Sequence, residues 1–112
     1  MRREIHSFCS SLYSNIVFTI ETDVGLKTNQ SFLVSYQDKS SIELYNFGNF
    51  EITKVAQFEF FHEKSMFLII TDLGFIELKL TENKISYMHM VGIEETMFKY
   101  NKNTNLLLAI TK

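Results

Sequence analysis

The chain has 112 residues, enough for one compact domain, and is 46% hydrophobic, so it is not disordered by composition. Eleven basic and 13 acidic side chains leave a formal net charge of −2, with the basic residues scattered rather than striped. That balance argues against nucleic-acid binding or attachment to an anionic membrane, and no apolar run approaches the ~20 residues that span a bilayer. A single cysteine, Cys9, cannot form an internal disulfide and fits a reducing, cytoplasmic setting. Met1-Arg2-Arg3-Glu4 is not followed by the apolar stretch of a secretory signal.

Residues 1–15 read as a lead segment. Ile5, Phe8, Leu12 and Ile16 fall near helical spacing, but Ser7, Ser10, Ser11 and Ser14 compete with a helix through local hydrogen bonds. The expectation is a helical turn or two, or a partly ordered lead. From residue 16 the pattern is β. Ile16-Val17-Phe18-Thr19-Ile20 suits a pleated surface, and a loop follows over 23–30. A strand is expected over 31–36. Beyond a polar turn, Ile42 and Leu44 alternate with Glu43 and Tyr45, placing the two pairs on opposite faces. Asn46-Phe47-Gly48-Asn49 is a turn.

The next unit begins with one or two strands over 52–61 and a turn at His62-Glu63-Lys64-Ser65. Residues 66–71 are nearly all apolar, as in a strand buried on both faces. Asp72-Leu73-Gly74 turns the chain into an alternating strand with Ile76, Leu78 and Leu80 inward. A turn at 81–84 leads to a strand over 85–91. A last unit from Glu94 holds a strand at 97–100, a turn at 101–105 and a strand at 106–111.

The chain repeats itself. Residues 58–72 (FEFFHEKSMFLIITD) align without a gap with 98–112 (FKYNKNTNLLLAITK) at an offset of 40, with identical pairs Phe58/Phe98, Leu68/Leu108, Ile70/Ile110 and Thr71/Thr111. A looser echo links Ser31-Phe32-Leu33-Val34-Ser35, Asp38 and Ile42-Glu43-Leu44 with Met66-Phe67-Leu68-Ile69-Ile70, Asp72 and Ile76-Glu77-Leu78. A strand-rich unit recurring at this spacing signals stacked or radial repeat architecture. The expected fold is all-β: antiparallel four-stranded blades forming a partial β-propeller of about two and a half blades. The expected units are the lead at 1–15, blade-like repeats at 16–53 and 54–93, and an incomplete one at 94–112.

On these residues the chain resembles degenerate WD-repeat β-propellers. The strand, acidic turn, strand and aromatic ending over 32–45 carry the likeness. So do Phe67-Leu68-Ile69-Ile70 with Gly74-Phe75-Ile76-Glu77-Leu78, and Met97-Phe98-Lys99-Tyr100 with residues 106–111. Neither the Gly-His nor the Trp-Asp pair of that family occurs; Tyr45-Asn46 and Lys79-Leu80 stand where the latter would. Within the family it looks most like the N-terminal propellers of a large subunit of intraflagellar transport complex A. The resemblance implies a non-catalytic protein–protein scaffold, cytoplasmic or ciliary, whose partners belong to a larger assembly. Propellers close with about 4–8 blades, so the rest of a longer chain or another subunit would complete the fold, and residues 106–110 would form an exposed, aggregation-prone edge. The rival reading is a self-contained β-barrel or sandwich enclosing an apolar ligand.

The side chains that could carry chemistry have plainer readings. His6, His62 and His89 lack metal-ligand spacing. Nothing around Cys9 resembles an activating motif, which leaves a buried thiol. Asp72, Glu77, Glu94 and Glu95 read as a solvated rim. Met88, Met90 and Met97 read as packing between blades, and Phe98-Lys99-Tyr100 as core. Gly25, Gly48, Gly74 and Gly92 are isolated and form no phosphate loop. The expectation is no catalytic residue, metal or cofactor. Contacts would come from the turns at 37–41, 62–65 and 101–105.

Overall fold

A computed structural model describes residues 2–11, 14–25, 29–48, 52, 54–71, 74–91, 96–101, 103–104 and 106–111. Ten strands follow one another: β1 (Arg2–Ser10), β2 (Ile16–Val24), β3 (Gln30–Gln37), β4 (Ser40–Asn46), β5 (Val55–Phe61), β6 (Met66–Thr71), β7 (Gly74–Thr81), β8 (Lys84–Val91), β9 (Thr96–Asn101) and β10 (Leu106–Thr111). No helix occurs among the described residues. The strands form two four-stranded antiparallel meanders, β1-β2-β3-β4 and β5-β6-β7-β8, and a hairpin of β9 with β10. Among the described residues no sheet closes on itself.

Turn chemistry sets these meanders. Glu82 and Asn83 both adopt positive φ (49° and 64°), as the two central residues of a type I′ hairpin turn must. Asp38 (φ 54°) plays the matching part between β3 and β4. After β4, Gly48 takes φ 66° and donates its N–H to Asn46 Oδ1 (2.7 Å), sending the chain toward the second sheet.

The sheets stack in three layers. Phe18, Ile20, Leu33 and Leu44 of the first sheet meet Phe58, Phe67, Ile69, Ile76 and Leu78 of the second in one cluster. Aromatic rings fill the space between them: Phe67 lies edge-on to Phe18 (4.7 Å between centroids) and tilted against Phe60 (4.7 Å). The two sheets run in the same order, with β1 against β5 and β4 against β8. The opposite face of the second sheet carries Leu68, Ile70 and Phe75, against which Tyr100 of the hairpin packs. β6 therefore has an apolar layer on each side, which is why its residues 67–70 are apolar without alternation and all buried.

The structure corrects three sequence expectations. Residues 2–10 form neither a helix nor an irregular lead; they are β1, paired with β2 from Arg2↔Val24 to Ser10↔Val17. A bulge between Ile5 and Ser7 interrupts the two-residue alternation, and that break produced the false helical spacing. With β1 included, residues 31–35 lie on the third strand of their sheet, whereas 66–70 and 106–110 lie on second strands. The looser echo is thus out of phase by one strand. It arises because β3 and β6 are both interior strands under similar burial, not because they occupy equivalent places. Finally, Tyr45 does not oppose Leu44 across the sheet: a bulge in the pairing of β3 with β4 lets both pack on the core cluster.

The stronger repeat holds residue by residue. The pairs Gln57↔Ile70, Phe58↔Ile69, Glu59↔Leu68, Phe60↔Phe67 and Phe61↔Met66 recur, 40 residues later, as Met97↔Ile110, Phe98↔Ala109, Lys99↔Leu108, Tyr100↔Leu107 and Asn101↔Leu106.

Candidate functional site

The face of the first sheet turned away from the second carries the densest polar constellation among the described residues. Cross-strand register assembles it. Arg3 stands opposite Asp23, Glu21 opposite both Ile5 and Phe32, and Thr19 opposite both Phe8 and Val34. Directly paired residues share a face, so chain segments up to 40 positions apart converge there.

Arg3 is the hub. Nη1 donates to Glu21 Oε1 (3.2 Å), Nη2 donates to Glu43 Oε1 (2.6 Å), and Nε lies 2.5 Å from Asp23 Oδ1 as an ion pair. Its guanidinium sits 4.7 Å from the centre of the Phe32 ring, shielding an apolar side chain on the outer face. Glu21 is 1% exposed and fully served: Thr19 Oγ1 donates to Oε2 (2.6 Å), as does the Tyr36 hydroxyl, and Arg3 donates to Oε1. Burial pushes this carboxyl upward, but the hydrogen bonds from Thr19, Tyr36 and Arg3 outweigh it and hold the group below the ordinary carboxylate value. The Arg3 guanidinium is raised, by Glu43 most and against desolvation, with Glu21 and Asp23 adding to the rise. Burial first and then Glu21 raise the Tyr36 hydroxyl.

The arrangement leaves the Glu21 carboxylate poorly placed for proton transfer. A general base needs an accessible lone pair and a proton affinity near the working pH. Glu21 has neither, being buried, ionised and saturated. What the cluster does is stiffen a sheet face whose rim bears exposed apolar side chains: Ile5 (62%), Phe8 (69%), Val17 and Tyr36.

A second network lies on the inner side and ties the connection between the sheets. Thr22 Oγ1 donates to the Ile52 carbonyl (3.1 Å), and the Ile52 N–H donates to Ser31 Oγ (2.9 Å). Ser31 Oγ in turn donates to Thr22 Oγ1 (2.9 Å), since the Thr22 proton is already committed. His6 Nε2, 2.8 Å from the same oxygen, is then the donor, which fixes its tautomer. Ile52 itself is fully buried outside any strand.

The side chains singled out on sequence fall in different places. His6 belongs to the network just described. His62 lies in the β5–β6 turn with its ring edge-on to Phe60 (6.3 Å). His89 Nδ1 is 3.5 Å from Glu77 Oε1 on the outer face of β7 and β8, both side chains part-exposed. No group of three metal-ligating side chains forms among the described residues. Cys9 faces the core cluster, and burial, with help from Glu59, pushes its thiol up to about 12. Met88 (43% exposed) and Met90 (41%) do not pack between sheets as expected: β8 is an edge strand, and its register puts them at the open margin. Tyr100 reaches the core of the second and third layers, while Lys99 is exposed. Asp72, Glu94 and Glu95, and the side chains of Met97 and Phe98, lie outside the described residues.

Sequence reasoning missed Arg3, Glu21, Tyr36 and Glu43. The one signal was a carboxylate, Glu21, directly after a β-branched and aromatic run; its partners depend on a register that β1 conceals. No family model, curated protein or solved structure matches the chain. No helix among the described residues is long and apolar enough to cross a membrane.

Proposed function

We propose that this chain is a non-catalytic interaction scaffold made of stacked, propeller-type sheets, which offers sheet faces, edges and turns to protein partners in a larger assembly. One observation carries the reading: the β5–β6 hairpin recurs as β9–β10 in the same register at five successive pairs 40 residues later. Repetition of this kind builds extended, rigid surfaces rather than a single enclosed site. The Arg3–Glu21 cluster supports it, because it ties β1, β2, β3 and β4 together and holds the outer face of the first sheet in shape. The enclosed-ligand alternative gains no support, since Phe18, Phe60 and Phe67 fill the space between the two large sheets.

The ciliary-transport setting belongs to the same proposal and rests on the resemblance alone. The partners are then subunits of a transport train, and the location is cytoplasmic or ciliary. Cross-linking mass spectrometry on the protein isolated from its source tests the scaffold reading. The expected result is protein partners at fixed stoichiometry, cross-linked through the outer face of the first sheet or the turns at Asp38–Lys39 and His62–Ser65. A lone monomer that retains an apolar small molecule in native mass spectrometry would overturn it.

A further inference from the structure

We infer that Met88 and Met90 form a redox-responsive pair: a hydroperoxide converts both thioethers to sulfoxides, and the change loosens β8 from the first sheet.

Register puts the two side chains together. Met88 pairs with Leu78 and Met90 with Ile76, so both methionines share the inner face of the second sheet with two fully buried aliphatic residues. Standing two positions apart on one strand, they are also neighbours on that face. Among the described residues β8 is paired on one side only, and β4 of the first sheet lies against it. Ile42 of β4 faces the same seam: it pairs with Ser35, which pairs with Phe18 of the core cluster. This margin is open, with Ile42 46%, Met88 43% and Met90 41% exposed. The opposite margin, where β1 meets β5, is tighter. There Cys9, Val55 and Phe60 are half-buried and pack on the core cluster.

Among the described side chains, sulfur occurs in Cys9, Met66, Met88 and Met90. Cys9 packs on the core, and burial keeps its thiol protonated and so a weak nucleophile toward peroxide. Met66 pairs with Lys79 on the other face of the second sheet and is less exposed than the pair. Met88 and Met90 are therefore the sulfurs that a dissolved oxidant reaches first. In the reaction the sulfur lone pair attacks one peroxide oxygen. An S–O bond forms, the O–O bond breaks, and the other oxygen leaves as water or an alcohol; sulfur is oxidised and the peroxide reduced. A flexible apolar side chain becomes a strong hydrogen-bond acceptor, which draws it into water. The buried part of each methionine lies beside Leu78 or Ile76. As it turns outward, water enters the seam and β8 loses its hold on β4. A dithiol reverses the change, taking the oxygen as water and becoming a disulfide.

The test treats the full chain with hydrogen peroxide, locates the added oxygen by peptide mass spectrometry and reads the strands by hydrogen exchange. Met88 and Met90 should oxidise about three-fold or more faster than Met66. Exchange should then quicken over 40–46 and 84–91 and stay unchanged over 2–10 and 55–61. Methionine sulfoxide reductases for both epimers, with dithiothreitol, should restore the original exchange. The double variant Met88→Leu with Met90→Leu keeps the apolar volume without the sulfurs, and its exchange should not respond to peroxide. Oxidation of Met66 as fast as the pair would overturn the inference. So would unaltered exchange over 40–46 and 84–91 once both sulfoxides have formed, failure of the reductases to restore it, or a double variant that responds as the parent does.

Discussion

The second strands of the two large sheets, β2 and β6, are both buried on both faces, yet by opposite means. β6 lies between apolar layers, with Phe67 and Ile69 against the first sheet and Leu68 and Ile70 against the hairpin side. β2 has such a layer on one side only, through Phe18 and Ile20. On the other side Thr19 and Glu21 are as inaccessible as the core, under cover of side chains from their own sheet. Burial alone therefore does not reveal what lies across a strand. A neighbouring layer and a roof of paired charges produce the same low exposure, with different chemistry beneath.

Substitutions on the two strands separate these means. Phe67→Ala removes a ring in contact with Phe18, Phe58 and Phe60 and should cost about 3–5 kcal/mol, read as a lowered denaturant midpoint with far-UV signal intact at low denaturant. Arg3→Ala opens the roof. Glu21 keeps Thr19 and Tyr36, and Arg3 is itself 36% exposed, so the expected loss is about 2 kcal/mol, below that for a deeply buried pair. If Arg3→Ala proved as damaging as Phe67→Ala, the roof would count as a second core.

Acid should reach β2 before β6. The Glu21 carboxyl is held below its usual value in the folded protein, so near pH 4 the unfolded chain binds more protons than the folded one. The stability this group contributes is complete above the ordinary carboxylate pKa and is lost as pH falls through the lower folded value. Glu21→Gln should flatten that part of the stability–pH curve in denaturant titrations, whereas Phe67→Ala should shift the curve without changing its slope. The smallest effect is chemical. With its thiol pushed up to about 12 from 9.0, Cys9 in the folded protein should alkylate at pH 8 about a thousand-fold more slowly than in the unfolded chain. A rate ratio near one would place the thiol outside the core cluster.

The same contrast explains how much could be read beforehand. β6 was legible because two apolar layers impose an apolar residue at every position from 67 to 70. The hairpin repeat was legible down to its register, because an ungapped offset of 40 with equal turn lengths leaves pairing little freedom. β1 was not legible. Its bulge shifts Ile5 and Phe8 out of two-residue phase, and its serines dilute the apolar signal. Once β1 was missed, the Arg3 cluster was beyond reach, since Arg3 meets Asp23 and Glu21 only through the pairing of β1 with β2. The exposure of Met88 and Met90 was hidden for a related reason: composition marks them as core, and only their place on an edge strand decides otherwise.

The shared register of the two hairpins bears on how such a chain changes over generations. Because β5–β6 and β9–β10 agree at five successive pairs at a spacing of 40, duplication or excision of one whole period preserves the hairpin register in the remainder. A shift by a single residue does not, because it turns each strand over and exposes the side that was inside. Descendants of this sequence should therefore differ in length by whole periods, with shorter insertions confined to the turns.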